Sequence, residues 1–320
     1  MKIIEYIPQL REKWENFVPR TNNGTMYHLQ QFLEYHPADR FPAKHLIFED
    51  RGKWLGVLPA ADRVRDGKLI HVSHPGASFG GIAVLPSVGV KAAHRMVDLW
   101  LDWAKRKGYE GVEFTRVPTI YHAMPEEHVD FALMKKGAFF VKRELTAVLR
   151  LGPSKDASFA RFRPEARTST RKAEKLGVTV DLDADIPPFY SILEANLGAR
   201  HNVRPTHSLE ELLDLKSRFP DKIHQMTAFV EGIPVAGVNL WEVNERAVIA
   251  FYISHLESAQ KYRPLNLLFW EIFCWCIERG FEWFDFGTYT LNMEANFGLA
   301  HFKEGFGAKG IFRDTLRLVF

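Results

Sequence analysis

Cysteine is scarce in this sequence, and it contains no long apolar run. The 320 residues include two cysteines, Cys274 and Cys276, whose spacing within a helical pattern points their side chains in different directions. This predicts neither a disulfide nor a metal site and favours a reducing compartment. No run reaches the roughly 18 apolar residues of a membrane span. The opening segment MKIIEYIPQLREKWENF lacks the apolar region of a signal peptide, so we expect a cytoplasmic protein without a membrane segment.

Metal-ligand spacing and a strong charge bias are also missing. The 13 histidines show no pattern such as His-x-x-x-His with a third ligand, so we predict no metal. The net charge of +3 does not require nucleic acid as a partner, although it permits an anionic ligand. No Ser-His-Asp or Cys-His arrangement is evident, so the sequence does not indicate a covalent nucleophile.

One order of patterns occurs twice along the chain. It consists of a hairpin, a strand, a long helix ending in glycine, a short aromatic strand, a loop, a Lys-Gly turn and a closing strand. The long helix ends at Gly108 in the first half and at Gly280 in the second. This repetition predicts an internal duplication, and with the chain length it predicts two domains, residues 1–152 and 153–320.

Local patterns predict single elements. VKAAHRMVDLWLDWAKRKG predicts a helix with one apolar face, and YRPLNLLFWEIFCWCIERG predicts a helix so apolar on all sides that it is buried. Ser208 with Glu211 forms a capping-box signature at the start of a helix. IHQMTAFVEGIPVAGVNLWEV predicts a hairpin that turns at Glu231 and Gly232, and KWLGVLPAADRV predicts one strand. We interpret the segment between GVEFT and AFFVKRELTAVLRL as a loop.

The order of elements also predicts the fold class. Hairpin strands lead into a strand–helix–strand crossover, and a last strand returns, so we expect mixed α/β domains, each a mixed β-sheet flanked by helices. We interpret residues 287–307 as a loop before the closing strand. A helix that follows a strand offers unpaired backbone N–H groups, so an anion site is available where Tyr262, Arg263 and Asn266 begin the second long helix.

Three stretches in the second half are similar to a known family. They are RPEARTSTRKAEKLGVTV, FYISHLESAQKYRPLNLLFWEIFCWCIERGFEWFDFGT and GLAHFKEGFGA. In this order, within a similarity that covers nearly the whole chain, they resemble the GNAT acyltransferase fold, duplicated as in the FemAB-like aminoacyltransferases. The resemblance implies two tandem GNAT-like domains, the first an acceptor-side scaffold and the second the catalytic half.

The resemblance also implies a reaction and its partners. An acyl or aminoacyl group passes to an amine of a cell-envelope or polysaccharide precursor, with acyl-CoA or aminoacyl-tRNA as the donor substrate and no tightly bound cofactor. Two features depart from the family pattern. The long helical arm of some members is missing between Val180 and Ile223, and SAQKYRPLN lacks the glycines of the usual CoA loop. Both donors, and tRNA as a partner, therefore stay open, as does the oligomeric state.

The resemblance places Lys303 beside the reacting carbonyl; the alternative is a surface lysine in a turn. Asp285, at the end of a strand, hydrogen-bonds an amine or orders a loop; the alternative is a strand-end carboxylate bonded to the backbone. Tyr252 donates to the leaving group or is an ordinary half-buried tyrosine. These three residues are the catalytic candidates.

Candidate substrate-binding residues lie in both halves. Arg167 and Arg171 belong to a basic helix that meets phosphate or forms a solvated face. The full set of binding candidates is Arg167, Arg171, Arg204, Tyr262, Arg263, Asn266, Phe302, Gly80 and Gly81. The alternative function is a non-catalytic ligand-binding protein that retains the duplicated fold.

Overall fold

The computed structural model of the chain describes residues 1–37, 39–201 and 204–320. They pack into two compact units, Met1–Glu144 with Phe312–Phe320, and Leu145–Ile311. The predicted domains 1–152 and 153–320 differ from this division, because the end of the chain belongs to the first unit. Leu316 and Leu318 of the closing strand are part of the first unit's hydrophobic core.

The first unit contains both strands and helices. Its strands are β1 (Lys2–Glu5), β2 (Leu46–Asp50), β3 (Lys53–Leu58), β4 (Ala60–Arg65), β5 (Lys68–Ser73), β6 (Ala83–Val84), β7 (Gly111–Thr115) and the first part of β8 (Phe139–Arg150). Its helices are α1 (Arg11–Phe17), α2 (Gln30–Leu33), α3 (Val90–Arg106) and α4 (His128–Lys135).

The second unit begins within β8. Its helices are α5 (Lys155–Ala160), α6 (Pro164–Lys175), α7 (Ile186–His201), α8 (Leu209–Arg218), α9 (Pro264–Glu278) and α10 (Phe297–Gly305). Its further strands are β9 (Thr179–Asp181), β10 (Ile223–Val230), β11 (Ile233–Glu242), β12 (Ala247–His255), β13 (Trp283–Thr288), β14 (Thr290–Leu291) and β15 (Glu294–Ala295). The last strand, β16 (Lys309–Val319), ends in the first unit.

A parallel strand pair joined by a helix occurs in each unit. In the first unit, β5 and β7 are parallel and α3 connects them, and β4 and the end of β16 extend this sheet by antiparallel pairing. In the second unit, β12 and β13 are parallel and α9 connects them. The strand order there is β8-β13-β12-β11-β10-β9. Gly108 and Gly280 follow the two helices with φ of 84° and 80°, a region that glycine adopts without strain.

Several predicted elements are present at the predicted places. Helix α3 forms where the apolar periodicity predicted a helix, and it buries one apolar face. Ser208 with Glu211 forms the predicted capping box at the start of α8. The hairpin of β10 and β11 turns at Glu231 and Gly232. The capping box and the hairpin turn could be predicted because their hydrogen bonds join residues that are close in sequence.

Three predictions about the course of the chain are wrong. The stretch KWLGVLPAADRV forms two strands, β3 and β4, which lie in different sheets on either side of Pro59. Proline breaks such a strand because it has no N–H to donate to the ladder. Helix α4 lies in a segment interpreted as a loop, and α10 lies in the predicted loop 287–307. The Asn296 side chain caps α10 by accepting the Leu299 N–H at 2.9 Å.

Each unit has an aromatic core of its own. In the first unit, the fully buried Trp100 of α3 packs beside Phe114 of β7. In the second, Phe269 and Phe273 of α9 pack against Phe284 and Phe286 of β13. Helix α9 is apolar on nearly every side, as predicted, because α5 and α6 cover the surface that it turns away from the sheet.

A buried carboxylate fixes the closing strand within the first unit. Asp314 of β16 is 1% exposed and accepts hydrogen bonds from Arg143 Nε at 3.0 Å and Nη2 at 3.2 Å. Arg116 Nη1 lies 3.5 Å from Asp314 Oδ2, the oxygen that also accepts Arg143 Nη2. By contrast, Asp66 is 85% exposed in its pair with Arg317.

We expect Asp314→Asn to lower the free energy of unfolding by about 2–4 kcal/mol, because it leaves guanidinium groups facing a neutral amide. Asp66→Asn is the control and should change it by less than about 0.5 kcal/mol, since exposed ion pairs contribute little. Urea denaturation followed by tryptophan fluorescence measures both. Equal effects of the two substitutions would contradict the assigned role of Asp314.

Candidate active site

The parallel strands β12 and β13 separate at one end of the second unit's sheet. Their pairing runs only from Ala247 to Ile249 on β12 and from Trp283 to Asp285 on β13. Beyond this, β12 continues to His255 and β13 to Thr288. Phe251 is a bulge residue, because the register with β11 steps from Ala250 to Tyr252. Bulges redirect strands beside functional sites, so this divergence is the natural place for an active site.

A second bulge turns the backbone of β13 at Gly287. The register with β8 passes from Asp285 opposite Val148 to Thr288 opposite Thr146, and Gly287 has a φ of 78°. The Asp285 Oδ1 atom accepts the Gly287 N–H at 2.8 Å and also the Thr146 hydroxyl. Asp285 is fully buried. Among the alternatives considered for Asp285, the bond to the Gly287 N–H matches a strand-end carboxylate bonded to the backbone.

Lys303 lies on α10 with its ammonium group against the same bulge. It is 2% exposed, and its Nζ donates to the carbonyl oxygens of Gly287 at 2.9 Å and Thr288 at 3.0 Å. Lys303 and Asp285 therefore bind opposite sides of one backbone turn. This burial is inconsistent with the alternative that Lys303 is a surface lysine in a turn.

The neighbouring Phe302 packs against the core of the second unit. Its ring centroid lies 5.2 Å from that of Phe306 and 5.9 Å from that of Phe269. These contacts occupy part of the half-buried ring, so packing explains its position without a ligand.

The basic helix α6 lies beside the beginning of α9. The Thr170 hydroxyl donates to the Ala166 carbonyl at 3.0 Å and lies 3.5 Å from the Asn266 carbonyl of α9. Arg171 is exposed, with its guanidinium 5.5 Å from the centre of the Phe159 ring. Arg167 is half-buried, one turn before Arg171. The structure thus brings Arg167, Arg171 and Asn266 to one region.

The segment before α9 does not form a backbone cradle for phosphates. Residues Glu257–Tyr262 form a 3₁₀-helix, and Arg263 follows with a φ of 57° and no side-chain cap. The N–H groups of Ala259 and Arg263 are bonded to carbonyls within the segment, and Pro264 has none to offer. A pyrophosphate at this position would therefore meet the exposed Arg263 side chain rather than a row of free amides.

Tyr252 belongs to a network that the sequence did not reveal. Its hydroxyl accepts the backbone N–H of His207 at 3.2 Å and lies 2.9 Å from His207 Nδ1. The His207 carbonyl accepts the Tyr190 hydroxyl at 3.0 Å. Burial raises the pKa of Tyr252 above its ordinary value of 10, so the phenol is neutral at physiological pH. His207 was missed because 45 residues separate it from Tyr252.

Other predicted binding residues lie elsewhere. Gly80 and Gly81 are in the first unit, where the Gly80 N–H donates to the Thr115 carbonyl at 3.0 Å. A Cβ on Gly81 would lie 2.5 Å from the Phe114 ring, and its φ is 86°, so close packing requires glycine there. Arg204 is exposed on the segment before α8.

Two further properties concern the described residues as a group. Among them, no three His, Cys, Asp or Glu side chains are grouped so that they could hold a metal ion. Within the same ranges, the helices are too short or too polar to cross a membrane.

A family model matches the part of the chain that holds these features. Residues 160–304 match the model described as an acetyltransferase (GNAT) domain. These residues are similar to a GNAT domain. The predicted resemblance, the mixed α/β fold class and the acyltransferase class are thereby confirmed, and the matched residues lie wholly within the second unit.

The similarity to solved structures covers nearly the whole chain, whereas the family model matches only residues 160–304. FemX has a TM-score of 0.77 at 13% identity, over 100% of this chain and 98% of its own. L-PGS from Bacillus licheniformis has a TM-score of 0.59 at 15% identity, over 97% and 91%.

A tandem GNAT protein from the clavulanic acid biosynthesis pathway has a TM-score of 0.58 at 11% identity, over 99% of this chain and 98% of its own. Identities this low establish the fold alone. No curated protein matches the sequence.

We expect Tyr252→Phe to lower the free energy of unfolding by about 1–3 kcal/mol, because it leaves the buried His207 N–H without its acceptor. Tyr262→Phe is the control in the same unit, because the Tyr262 hydroxyl has no hydrogen bond among the described residues. It should change the free energy of unfolding by less than about 0.5 kcal/mol. Urea denaturation compares the two. A neutral Tyr252→Phe would show that the His207 contact does not stabilise the fold.

Proposed function

We propose that this chain is an N-acyltransferase whose chemistry takes place in the second unit, where β12 and β13 diverge beside Lys303. The amine nitrogen attacks the donor carbonyl and forms the C–N bond. The bond to the leaving sulfur of a thioester, or to the leaving oxygen of an ester, breaks, and the proton lost by the amine ends on that atom. The observation that carries this proposal is the buried ammonium group at the divergence of the two strands.

Lys303 is proposed to stabilise the negative charge that develops on the reacting carbonyl or on the leaving group. A cation in a water-poor environment interacts with a developing charge more strongly than it would in bulk water. Its bonds to the Gly287 and Thr288 carbonyls hold the ammonium in place before the reaction begins. Asp285 acts as a positioning residue, since it holds the N–H side of the same turn.

Tyr252 is proposed to supply a proton to the leaving group. A neutral phenol is required for this role, and burial keeps Tyr252 neutral. The His207 ring, bonded to the phenol oxygen, can orient it and return a proton.

The donor is proposed to be held by side-chain cations rather than by a glycine-rich loop. Arg167, Arg171 and the exposed Arg263 lie around the start of α9, and guanidinium groups bind phosphate oxygens in pairs of hydrogen bonds. The bonded amides before α9 disfavour the usual pyrophosphate site of CoA. We therefore place aminoacyl-tRNA ahead of acyl-CoA as the donor, and an amine of a cell-envelope or polysaccharide precursor as the acceptor.

Purified protein offered radiolabelled aminoacyl-tRNA or acetyl-CoA, each with an amine acceptor, tests this function. We expect transfer from aminoacyl-tRNA to exceed transfer from acetyl-CoA. The reverse order would overturn the choice of donor. Donor binding without transfer or hydrolysis would instead identify a non-catalytic ligand-binding protein.

We expect Lys303→Met to slow transfer by at least about 10²-fold with little change in donor affinity, because the charge acts mainly in the transition state. Lys309→Met is the control, since Lys309 is exposed in the same region. Single-turnover kinetics and donor titration separate the two effects. Circular dichroism checks that the variant is folded, and normal turnover in a folded Lys303→Met would remove Lys303 from the mechanism.

We expect replacement of both Arg167 and Arg171 by Gln to weaken donor binding by about 2 kcal/mol or more, since charge-assisted hydrogen bonds contribute roughly 1.5–3 kcal/mol each. Arg95 and Arg106, exposed on α3 of the first unit, replaced together by Gln, provide a control with the same loss of charge. Donor titration at fixed ionic strength measures both. If the two double variants bind alike, α6 is only a solvated face.

A further inference from the structure

A short segment of the first unit, residues 134–143, combines exposed apolar side chains with basic ones. It runs from the end of α4 into β8 and has the sequence MKKGAFFVKR. Four of its residues are basic and none is acidic. Its large apolar side chains are 38–50% exposed, and they are those of Met134, Phe139, Phe140 and Val141. The proposed acyl transfer does not use this segment, which lies outside the matched residues 160–304.

The beginning of β8 is uncovered on both of its faces. Residues 139–142 are four successive exposed positions. Because successive side chains of a strand point to opposite faces, neither face is covered by the rest of the protein here. Phe312 of the neighbouring strand β16 adds a further ring that is 53% exposed. Apolar side chains exposed together in this way mark an interaction surface.

The Arg143 guanidinium lies between two of the exposed rings. Its Cζ atom is 4.1 Å from the centre of the Phe140 ring and 4.0 Å from that of the Phe312 ring. Asp314 holds the guanidinium through the two hydrogen bonds described above, so the rings are preorganised. These contacts also occupy one face of each ring, which leaves less surface on which a nucleotide base could stack. The available ring edges suit hydrocarbon better than bases.

Two lysines of the segment have no acidic partner. Lys136 pairs with Asp98 at 2.6 Å, and Arg143 pairs with Asp314. Lys135 and Lys142 are exposed, and neither forms an ion pair within the described part of the chain. Their ammonium groups are therefore available to phosphate groups outside the protein, next in sequence to the exposed apolar side chains.

We propose that this surface, formed by residues 134–143 and Phe312, docks on an anionic lipid surface. The apolar side chains enter the boundary between headgroups and acyl chains, and Lys135 and Lys142 contact lipid phosphates. Interfacial binding of this kind combines buried apolar area with attraction to anionic lipids, and the segment supplies both. A bilayer deforms around a projecting strand, whereas a protein partner would need a groove of matching shape. Docking requires no acyl donor or acceptor, so the proposal does not depend on the proposed acyl transfer.

Sedimentation of the full-length protein with lipid vesicles tests the proposal. One preparation is phosphatidylcholine alone, and the other is an equimolar mixture of phosphatidylcholine and phosphatidylglycerol. We expect binding to the mixture to be at least about tenfold tighter, a difference of 1.4 kcal/mol, because two unpaired lysines contact its phosphates. Equal binding to both preparations, or binding to neither, would overturn the proposal.

Phe139→Ser combined with Val141→Ser removes apolar surface without changing the two rings that hold Arg143. We expect at least about tenfold weaker binding of this variant to the mixed vesicles, since less apolar area enters the lipid. Val64→Ser combined with Leu69→Ser is the control, because both side chains are exposed on the β4–β5 hairpin of the same unit. Unchanged binding of the first variant, or an equal loss in the control, would contradict the assigned surface.

Lys135→Gln combined with Lys142→Gln tests the role of charge. We expect this variant to lose the preference for the mixed vesicles and to bind phosphatidylcholine alone as the parent does. Lys53→Gln combined with Lys91→Gln removes the same charge from exposed positions elsewhere in the first unit and should keep the preference. Loss of the preference in both variants would show that overall charge, and not this segment, directs the binding.

A single-stranded oligouridylate distinguishes lipid from RNA as the occupant. We expect any binding of this probe to be unaffected by the Phe139→Ser/Val141→Ser variant, because the proposed surface does not stack bases. Tight binding of the oligouridylate that this variant abolishes, with vesicle binding unchanged, would overturn the proposal and assign the surface to RNA.

Discussion

In the second unit, the course of β13 depends on the backbone turn at Gly287, which two buried charges hold from opposite sides. Asp285 binds its N–H, and the Lys303 ammonium binds the carbonyls that follow. A charge taken out of water requires hydrogen bonds in compensation, and here backbone dipoles provide them. The separation of β13 from β12, the placement of α10 and the position of Lys303 are therefore consequences of one local arrangement.

The Asp285–Lys303 and Tyr252–His207 networks of the second unit differ in their access to solvent. The Asp285 and Lys303 side chains are buried, and both have backbone hydrogen-bond partners at the same turn. The Tyr252–His207 pair joins β12 to the segment before α8 through a half-buried phenol. The proton transfer proposed for Tyr252 needs this partial access, whereas the constant positive charge proposed for Lys303 does not.

The sequence was sufficient for features that depend on nearby residues. The apolar periodicity of Val90–Arg106 and the Ser208–Glu211 capping box are local, and both are present. Helix α10 escaped prediction because Gly298 and Gly305 reduce its helical signal while the Asn296 cap and packing outweigh them. Lys303 was a catalytic candidate because of a family resemblance, but its burial was not predicted, since a lone lysine in a sequence has the pattern of a surface residue. The partner of Tyr252, His207, lies on a distant segment of the chain, and no local pattern predicts such a contact.

Phe312–Phe320 belongs to the first unit although the entire second unit precedes it in the chain. Arg116 and Asp314, which meet at 3.5 Å, are 198 residues apart in sequence. Contacts over such separations form late, because loop closure must precede them. During synthesis, the ribosome must therefore deliver the whole second unit before the first can complete its sheet. Until then, the edge of β7 that pairs with β16 has its backbone groups available for other chains, and a chaperone or rapid folding of the second unit would protect it.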